Sequence, residues 1–446
     1  MNAKPVPTSP ALPAGRLEEQ FADKAPLYTS SEALAEASRC LYCFDAPCMR
    51  ACPTHIDVAT FIRKIGSGNV KGSARTILDA NLLGASCSRA CPVEVLCEGA
   101  CVYTGWGRKP IAIGRLQRFA MARGASPELL PRAPRTGKSV GLVGAGPASL
   151  ACAAKLVLFG HDAVVYEKGT LPGGLDVSGI APYKLDAESA LDEVRFLLAL
   201  GVELRTRVEI GKDVQPAELL AKHDALFLGP GLGADSRLPI PGADGAGVFG
   251  AVEWIARMKL DPQLSIAGVT HAAVLGGGNT ALDVVREFAQ LGVPNVRLVY
   301  RRGESELPAY AHEWSAAKKE GVQLVPNAVA TEIVLEQGRA KALKLARAHD
   351  GKPTAEALPA LDADLVVFAI GQARLAEFAA RFPDVRTTKE GRIETDASGR
   401  TANARIWAGG DARNGGMEVV NAVAEGQDAA RAIDAELRAG GVTRGS

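Results

Sequence analysis

The strongest constraint on this chain is a run of cysteines between residues 40 and 101. The first four cysteines are spaced C-x2-C-x4-C-x3-C, and after a gap four more are spaced C-x3-C-x5-C-x3-C. These two quartets hold eight of the nine cysteines, namely Cys40, Cys43, Cys48 and Cys52, then Cys87, Cys91, Cys97 and Cys101. Any fold of this chain has to bring many thiols close together.

Three kinds of cysteine site fit such spacings. Quartets in which a cysteine precedes proline, as Cys52 and Cys91 do, are typical of proteins that bind [4Fe–4S] clusters, and eight thiols indicate two clusters. A pair of structural zinc sites is an alternative, because C-x2-C pairs also bind zinc. A disulfide framework is the third possibility, but a chain of 446 residues without a secretion signal is expected in a reducing compartment.

The composition favours some classes of protein and excludes others. A hydrophobic content of 47% and 48 glycines favour α/β domains with many tight turns. The 51 basic and 50 acidic residues leave no charge excess for nucleic acid or a membrane surface. Residues 1–15 are predicted to be a disordered tail, and no apolar run is long enough to span a membrane. We therefore expect a soluble, cytoplasmic protein of two or three domains.

A helical module is predicted around the cysteines. Amphipathic or small-residue patterns predict four helices. The first helix begins at Ser30 with Ser31 as its cap, and the other three cover residues 56–66, 70–80 and 110–122. The cysteines fall in the loops of this module. A linker rich in proline and arginine follows residue 127 and marks the end of the module.

The chain then changes to a dinucleotide-binding pattern. A buried strand over residues 139–143 leads into the turn Gly144-Ala145-Gly146-Pro147-Ala148-Ser149, and a helix from Leu150 and a strand over residues 163–166 follow. Gly144 permits the tight turn, and Gly146 lets the backbone approach a pyrophosphate at the helix N-terminus. Glu167, after the second strand, is placed to accept hydrogen bonds from a ribose. This site suits FAD.

A second copy of the pattern begins at Thr270. The strand 271–275 precedes the turn Gly276-Gly277-Gly278-Asn279-Thr280-Ala281, and a helix over 282–291 and a strand over 296–300 follow. This copy ends in Arg301 and Arg302 rather than in an acid, and a cation in this position can bind the 2′-phosphate of NADP(H). The two arginines also fit a solvated pair at a strand end, so the sequence leaves NAD(H) open.

The order of the motifs predicts one nucleotide domain inserted in the other. Two predicted strands mark the places where the chain changes domain: strand 225–228 is followed by Gly231, and strand 365–370 by Gly371. Residues 405–411 then return to the first domain and end in Gly410 and Asp411. We also expect Gly174 to contact the first cofactor. The predicted domains are 1–134 for the helical module, 135–243 with 372–446 for FAD, and 244–371 for NAD(P)H.

These motifs predict chemistry carried by cofactors. Hydride transfer from a nicotinamide to a flavin needs orientation and exclusion of water, so we expect no catalytic side chain. Disulfide reductases of this fold have a redox cysteine pair, but the only cysteine after Cys101 is Cys152. Electrons are therefore expected to leave through the cysteine module, which favours iron–sulfur over zinc.

Four stretches of the sequence resemble those of a known protein family. Residues 40–58 (CLYCFDAPCMRACPTHIDV), Asn81 to Pro92, Asn279 to Asp283 and Tyr300 to Arg302 resemble the N-terminal half of dihydropyrimidine dehydrogenase. The similarity is to the separate bacterial subunit of the PreT type, and the glutamate synthase small subunit is a close relative. It covers nearly the whole chain, and the stretch Tyr42 to Ile65 favours the pyrimidine branch.

The resemblance implies a cluster arrangement that the spacing does not. In the relatives, the positions matching Cys40, Cys43, Cys48 and Cys101 hold one [4Fe–4S] cluster. Those matching Cys52, Cys91 and Cys97 hold the other, with a glutamine oxygen that falls on Gln117 here. Cys87 then lies near a cluster without binding it. The alternative is that Gln117 is an ordinary helix residue and Cys87 the fourth ligand.

The resemblance also implies a function and a partner. The chain is expected to pass electrons from NADPH or NADH through FAD and two [4Fe–4S] clusters to an FMN- and iron–sulfur-containing catalytic subunit of the PreA type, in a heterotetramer that reduces uracil or thymine. That expectation includes the absence of an FMN barrel before Ser446. A glutamate synthase small subunit, a generic donor to a ferredoxin-type acceptor and a non-catalytic scaffold are the alternatives.

Overall fold

The computed structural model describes residues 11–441, so most of the tail predicted over residues 1–15 lies outside the described residues. The N-terminal part is helical. A short 3₁₀ turn (Leu17–Gln20) precedes seven helices, with further 3₁₀ turns at Val93–Val95 and Pro127–Leu129. The helices are α1 (Ser30–Ser38), α2 (Pro47–Arg50), α3 (Val58–Gly66), α4 (Val70–Ala80), α5 (Gly84–Ala90), α6 (Val102–Gly105) and α7 (Ile113–Gly124).

Two expectations for this module were wrong in detail. The cap of α1 is Thr29 and not Ser31: Thr29 Oγ1 accepts the Glu32 N–H at 3.3 Å, and Glu32 Oε2 accepts the Thr29 N–H at 2.8 Å. This reciprocal pair satisfies two donors that the helix itself leaves free. Helix α7 begins at Ile113 rather than at residue 110, because Ala112 has φ −74° and ψ 69°, outside the helical region, and the Ile113 N–H bonds to the Ile111 carbonyl at 2.8 Å in a tight turn.

The first α/β segment alternates strands and helices. Its elements are β1 (Ser139–Val143), α8 (Pro147–Leu158), β2 (Asp162–Tyr166), α9 (Leu175–Ser178), α10 (Ala187–Ala199), β3 (Glu203–Arg205), α11 (Pro216–Lys222) and β4 (Ala225–Leu228). Strands β1 and β4 lie where the sequence predicts them, and helix α8 begins three residues earlier than expected. Pro147 stands at the first turn of α8, where its missing N–H costs nothing.

A second α/β segment follows before the chain returns. Its elements are β5 (Val248–Gly250), α12 (Ala251–Leu260), β6 (His271–Gly276), α13 (Asn279–Gln290), β7 (Asn295–Val299), a 3₁₀ turn (Glu304–Glu306), α14 (Ala311–Lys319), β8 (Gln323–Val325), β9 (Ala328–Glu336), β10 (Arg339–His349), β11 (Lys352–Asp362) and β12 (Leu365–Ala369). The chain ends with α15 (Ala376–Ala379), β13 (Ile406–Ala408), α16 (Asp411–Asn414) and α17 (Val419–Ala439).

Three sheets result. One parallel sheet has the order β13-β4-β1-β2-β3, and the other the order β5-β12-β6-β7-β8. Strands β9, β10 and β11 form a separate antiparallel sheet. Since β13 joins the first sheet after the whole second sheet has been built, the second domain is inserted in the first. The fold class expected from the sequence, a helical module before two Rossmann-like domains, is confirmed.

The helical module shares its core with the first sheet. One continuous hydrophobic cluster contains Phe61 and Ile77 of the module together with Val140, Leu156 and Val423 of the α/β part. The clusters under the second sheet are separate from it. No helix within the part of the chain described by the structure is both long and apolar enough to span a bilayer.

Candidate electron-transfer site

A large cleft of about 1230 Å³ is the main feature of the molecule's interior. Its walls come from the first glycine turn, from Asn279 and Thr280 at the start of α13, and from residues 89–92 at the end of α5. The cleft therefore joins both nucleotide-binding patterns to the cysteine module. Most of the expected cofactor-binding residues line it: Gly144, Gly146, Pro147, Ala148, Glu167, Gly174, Gly231, Asn279, Thr280, Gly410 and Asp411.

The first glycine turn leaves space where a cofactor backbone would lie. Gly144 has φ +85°, and a Cβ there would stand 2.5 Å from the carbonyl oxygen of Gly229. A Cβ on Gly146 would meet no atom within 4 Å, so this position faces open space at the N-terminus of α8. Ser149, in the third glycine position, is fully buried and donates to the Val143 carbonyl at 3.3 Å. The turn therefore fits a pyrophosphate.

Glu167 is held in place by the turn that it faces. Its carboxylate accepts the Ala145 N–H at 2.8 Å and the Gly169 N–H at 2.6 Å. Two amide donors leave the carboxylate with lone pairs still free, because ionised carboxylates accept about four hydrogen bonds. This geometry fits an acceptor for ribose hydroxyls.

Further glycines with positive φ form the cleft wall beside the first glycine turn: a Cβ on Gly174 would stand 2.8 Å from Gly146 Cα, and one on Gly410 would stand 3.0 Å from Ala148 Cβ. Gly174, Gly231 and Gly410 have φ of +56°, +71° and +70°, which non-glycine residues rarely adopt. Gly410 donates its N–H to Glu425 Oε2 at 2.7 Å, and burial raises the pKa of the adjacent Asp411. These turns place backbone groups and Asp411 in the cleft wall next to the first glycine turn.

The second glycine turn has the same plan. A Cβ at Gly276 would stand 2.3 Å from the Ala369 carbonyl oxygen, whereas one at Gly278 would meet nothing within 4 Å. Gly278 caps α13, and the Asn279 side chain accepts the Tyr310 N–H at 3.0 Å. Gly276, Gly278, Gly371, Arg301 and Arg302 do not line the large cleft.

The two arginines lie just after the C-terminal end of β7. The Arg301 side chain is exposed and packs beside Gly351, in the turn between β10 and β11. Arg302 Nε is 3.9 Å from Glu306 Oε1. Neither arginine has a tight ionic partner among the contacts of residues 11–441, so neither guanidinium is committed to a close ion pair.

Four thiols of the first set surround one small cavity. Cys40, Cys43, Cys48 and Cys101 all line it, together with apolar residues of α3 and the segment before α7. Burial raises the pKa of Cys48 to about 11, and the neighbouring Cys101, Cys40 and Cys43 thiols add to this rise. Cys101 thus lies with the first three cysteines of the chain although more than fifty residues separate them.

The second group lies between the first group and the cleft. A hydrogen bond with Cys87, followed by burial and the nearby Cys97 and Cys52, raises the pKa of the Cys91 thiol. Burial, with Glu98, Cys52 and Cys48, raises the pKa of Cys97. Cys91 also lines the large cleft. Cys91 therefore belongs both to the cleft wall and to the second thiol group, and Cys97 of that group is a neighbour of Cys48 in the first.

Gln117 lies in α7 and is buried beside α5. Its Nε2 donates to the Gly84 carbonyl oxygen at 2.7 Å. A carbonyl can only accept, so this bond assigns the nitrogen to the Gly84 side and leaves the amide oxygen free for another partner. The residue can therefore offer an oxygen ligand, as the resemblance implies.

The cysteines do not form disulfides or a single-ion site. All nine are free thiols. Within residues 11–441, no three histidine, cysteine, aspartate or glutamate side chains approach closely enough to bind one metal ion. A [4Fe–4S] cluster instead takes one protein ligand at each of four irons.

Helix α5 is anchored on the first α/β domain. The Glu193 carboxylate on α10 accepts the Ala85 N–H at 2.7 Å and the Ser86 N–H at 2.9 Å, which caps the start of α5. At the end of the same helix, Arg89 and Cys91 line the cleft. The position of the second thiol group relative to the cleft is therefore set by contacts with the first domain.

Sequence analysis missed several polar residues of the cleft. Asp176, Lys184, Asp283, Tyr310 and Glu418 all line it. Burial, helped by the nearby Glu193, raises the pKa of Asp176 to about 8. Only Asp283 had a signal, as part of the stretch that matches the nicotinamide domain. The others stand in loops or at helix starts without any periodic pattern.

Comparisons with known proteins agree with these two parts of the chain. Residues 17–128 match the family described as dihydropyrimidine dehydrogenase domain II, 4Fe-4S cluster, and residues 138–426 match the pyridine nucleotide-disulphide oxidoreductase family. The dehydrogenase match assigns an iron–sulfur cluster to the cysteine module. The disulphide chemistry in the second family's name has no counterpart here, because Cys152 is alone and fully buried.

Two curated relatives align over nearly the whole chain. The NAD-dependent dihydropyrimidine dehydrogenase subunit PreT of Escherichia coli O157:H7 is 35% identical over 421 residues, which are 93% of this chain and 97% of PreT. The glutamate synthase [NADPH] small chain of Escherichia coli K12 is 32% identical over 437 residues, 91% of this chain and 92% of that protein. Among solved structures, thioredoxin reductase of T. acidophilum has a TM-score of 0.56 at 18% identity and covers 68% of this chain and 99% of that one, which shows the shared fold alone.

Proposed function

Because this chain belongs to the family of iron–sulfur flavoprotein subunits that contains PreT and the glutamate synthase small chain, we propose that it is the electron-input subunit of a two-subunit dihydropyrimidine dehydrogenase. In the overall reaction, NAD(P)H and a proton reduce the 5,6-double bond of uracil or thymine. The observation that carries the proposal is the cleft, whose wall contains the first glycine turn, the start of α13 and Cys91 together.

FAD supplies the conversion of a two-electron hydride into single electrons. The residues that would hold its pyrophosphate are Gly144, Gly146, Pro147 and Ala148, with Glu167 on the ribose. Gly174, Gly231, Gly410 and Asp411 would contact its flavin half. The open space at Gly146 and Gly231, where a Cβ would meet nothing within 4 Å, supports this assignment.

The nicotinamide nucleotide would bind at the second turn. Gly276, Gly278, Asn279, Thr280 and Gly371 would contact its pyrophosphate and nicotinamide sides, and Arg301 and Arg302 a 2′-phosphate. The open space at Gly278 and the N-terminus of α13 support the first part. The name of PreT specifies NAD and that of the glutamate synthase chain NADPH. For this chain we propose that either nucleotide donates hydride and that the arginines favour NADPH.

Two [4Fe–4S] clusters would carry the electrons away. Cys40, Cys43, Cys48 and Cys101 would hold one, and the cavity that these four thiols share supports this set. Cys52, Cys91, Cys97 and Gln117 would hold the other. The free amide oxygen of Gln117 supports this second set.

The ligand proposal has a direct spectroscopic test. Replacing Gln117 by Ala should alter the EPR signal of one reduced cluster, because loss of an oxygen ligand changes the charge and symmetry at one iron. Replacing Cys87 by Ala should leave both signals unchanged and serves as the matched control, since it removes a side chain of the same buried region. The opposite pattern would assign the eighth ligand to Cys87.

The first thiol cavity opens beneath an apolar surface suited to a partner. Leu41, Phe44 and Trp106 are exposed, and Trp106 packs edge-on against Tyr103, which lines the cavity with Leu41. Exposed apolar groups of this kind mark interaction sites. We propose that the FMN- and iron–sulfur-containing PreA-type subunit docks here and that the complex is a heterotetramer.

Co-expression with the partner tests the function. The purified complex, with flavin and iron measured, should convert uracil to dihydrouracil at the expense of NADH or NADPH. The chain alone should reduce ferricyanide but not uracil. A fully loaded complex without uracil turnover would contradict the proposal. Glutamate formation with a glutamate synthase large chain would favour the alternative that the 32% identity suggests.

A further inference from the structure

A polar network crosses the cleft between the two nucleotide domains. Lys184 Nζ lies 2.6 Å from Asp283 Oδ1 and 3.0 Å from Glu313 Oε1. Beside it, the Tyr183 hydroxyl donates to Asp283 Oδ1 at 2.9 Å. Tyr183 and Lys184 belong to the first domain, whereas Asp283 and Glu313 lie on α13 and α14 of the inserted one.

The network is buried and contains groups of both charges. The side chains of Lys184 and Asp283 are each 13% exposed, and that of Glu313 is 5% exposed. Burial alone would lower the pKa of Lys184, but the charges of Asp283 and Glu313 outweigh it and raise that pKa above its usual range. Despite burial, Lys184, Lys24 and Arg286 hold the pKa of Glu313 at about 2. Lys184 and Glu313 therefore stay ionised at physiological pH, and their contacts act as a tether between the two domains.

Neighbouring cations extend the tether. The Arg286 guanidinium contacts Glu313 at 2.5 Å and Glu320 at 2.9 Å, both within the inserted domain, and stacks 4.6 Å from the Tyr183 ring. Lys24, from the N-terminal module, is 3.4 Å from Glu313. Glu313 is therefore the point where side chains from three parts of the molecule meet.

A second contact crosses the cleft close by. The Tyr310 hydroxyl donates to Glu418 Oε1 at 2.7 Å, and Glu418 caps α17 of the first domain. The Tyr310 N–H donates to the Asn279 side chain at the start of α13. Asp283 lies one helical turn after Asn279 on the same helix. Both crossings thus hold the end of α13 at which a nicotinamide nucleotide binds.

The tether matters for the reaction because hydride transfer requires a fixed distance between donor and acceptor. A hydride donor and acceptor react when they are about 3–3.5 Å apart and aligned, and a misplacement of about 1 Å can slow a reaction roughly a hundredfold. Domains joined within one chain move relative to each other unless their interface restrains them. Charges buried at the interface are a strong restraint, because a buried charge that loses its partner is costly.

We infer that Lys184, bound to Asp283 and Glu313, is a positioning residue that holds the nicotinamide-binding domain against the flavin-binding domain in the geometry required for hydride transfer. The inference rests on the proposed transfer from NAD(P)H to FAD and adds the residues that align it. Lys184 itself touches neither reacting atom in this role.

Substitution of Lys184 by Met tests this role. Methionine keeps the length of the side chain and removes its charge. In anaerobic stopped-flow mixing with NADH or NADPH, the limiting rate at which the flavin absorbance bleaches should fall about tenfold to a hundredfold. The dissociation constant of either nucleotide should change less than about threefold, since the binding residues on α13 are intact, and the FAD content should equal that of the wild type.

A second variant guards against misfolding. In the double variant with Lys184→Met and Asp283→Asn, no buried charge loses its only partner, because Glu313 keeps Arg286 and Lys24. It should bleach as slowly as the single variant. Hydrogen exchange of the nucleotide-free protein, followed by mass spectrometry, should become faster in residues 179–186 and 279–284 in both variants.

Glu320→Gln is the matched control, because it breaks an ion pair of Arg286 in the same network without crossing the cleft. It should lower the melting temperature and leave the bleaching rate within about twofold of the wild type. Wild-type bleaching rates in both Lys184 variants, or an equal slowing in Glu320→Gln, would overturn the positioning role. A wild-type protein, loaded with FAD, that neither nucleotide bleaches would overturn the proposed function itself.

Discussion

The two nucleotide domains share one strand order and differ in the residues that follow the second strand of the glycine-turn motif. In both, the strand before the glycine turn is the third in a five-stranded parallel sheet, and the following two strands lie to one side of it in chain order. In both, an open glycine starts the next helix, Gly146 for α8 and Gly278 for α13. The difference is the side chain that follows the neighbouring strand, an acid after β2 and two arginines after β7.

The surroundings of these side chains differ as much as their charge. Glu167 is fixed by two backbone N–H groups and lines the cleft. Arg301 is exposed beside the β10–β11 turn, outside the cleft. A shared backbone can therefore bind the part common to all dinucleotides, while the residue at the strand end distinguishes one ribose from another. The experiments below can break or sharpen this comparison.

The largest effects are expected at the two open glycines. Gly146→Ala should purify with at most about a tenth of the wild-type FAD, because a methyl group between backbone and pyrophosphate costs at least about 1.4 kcal/mol, or tenfold in Kd. Gly278→Ala should keep its FAD and lose nicotinamide nucleotide affinity to a similar degree. Flavin absorbance after purification and titration with NADH measure both. FAD loss in both variants, or in neither, would show that the two turns do not serve separate cofactors.

The arginines should have a smaller and more selective effect. Replacing Arg301 or Arg302 by Ala should raise the KM for NADPH, each contact being worth about 1.5–3 kcal/mol as a hydrogen bond between charged groups. The KM for NADH is the internal control and should stay constant, because NADH has no 2′-phosphate. Steady-state reduction of ferricyanide measures both constants. Equal changes for the two nucleotides would reject the phosphate role and would leave the arginines as a solvated pair.

The smallest effect concerns the pH dependence of stability, for which Asp176 and Glu313 have pKa shifts of opposite sign. Burial raises the pKa of Asp176 to about 8, so its neutral form stabilises the fold, and this stabilisation is lost as the pH rises from about 4 to about 8. The pKa of Glu313 is lowered to about 2, so its contribution is constant above about pH 5 and is lost in acid.

Melting curves between pH 6 and 9 should separate the two carboxyl groups. The stability of Asp176→Asn relative to the wild type should increase up to about pH 8, on the order of 1 kcal/mol per pH unit, and then level off. Glu313→Gln should lose the same amount at every pH in this range. A constant difference for Asp176→Asn would show that its carboxyl is already ionised in the folded protein.

Much of the fold was readable from local pattern. Strands β1 and β4 lie at the predicted residues, because apolar runs that end in glycine are typical of buried parallel strands. Helices α8 and α13 begin three residues before the predicted starts, since the apolar pattern marks the buried face and not the first helical turn. The cap of α1 was assigned to the wrong hydroxyl, because both Thr29 and Ser31 precede the apolar residues and only the backbone geometry distinguishes them.

The site was less readable than the fold. The glycine turns and Glu167 are local signals, because a tight turn and a close backbone approach require glycine at fixed spacing. Lys184, Tyr310 and Glu418 are not, because their importance comes from contacts across a cleft between segments 99 or more residues apart in the chain. No period or spacing within either segment records that contact.

The cysteines show which properties the sequence determines and which depend on the tertiary structure. By itself, the sequence determined the two cysteine quartets, the two glycine turns in series and Cys152 as the one cysteine of the given sequence after Cys101, because these properties depend on residue type and local spacing. The resemblance implied that Cys101 joins Cys40, Cys43 and Cys48, but only the tertiary structure brings these four thiols to one cavity and places Cys91 in the wall of the nucleotide cleft. Those positions depend on how helices α3, α5 and α7 pack against one another and against α10, and packing is a property of the whole chain.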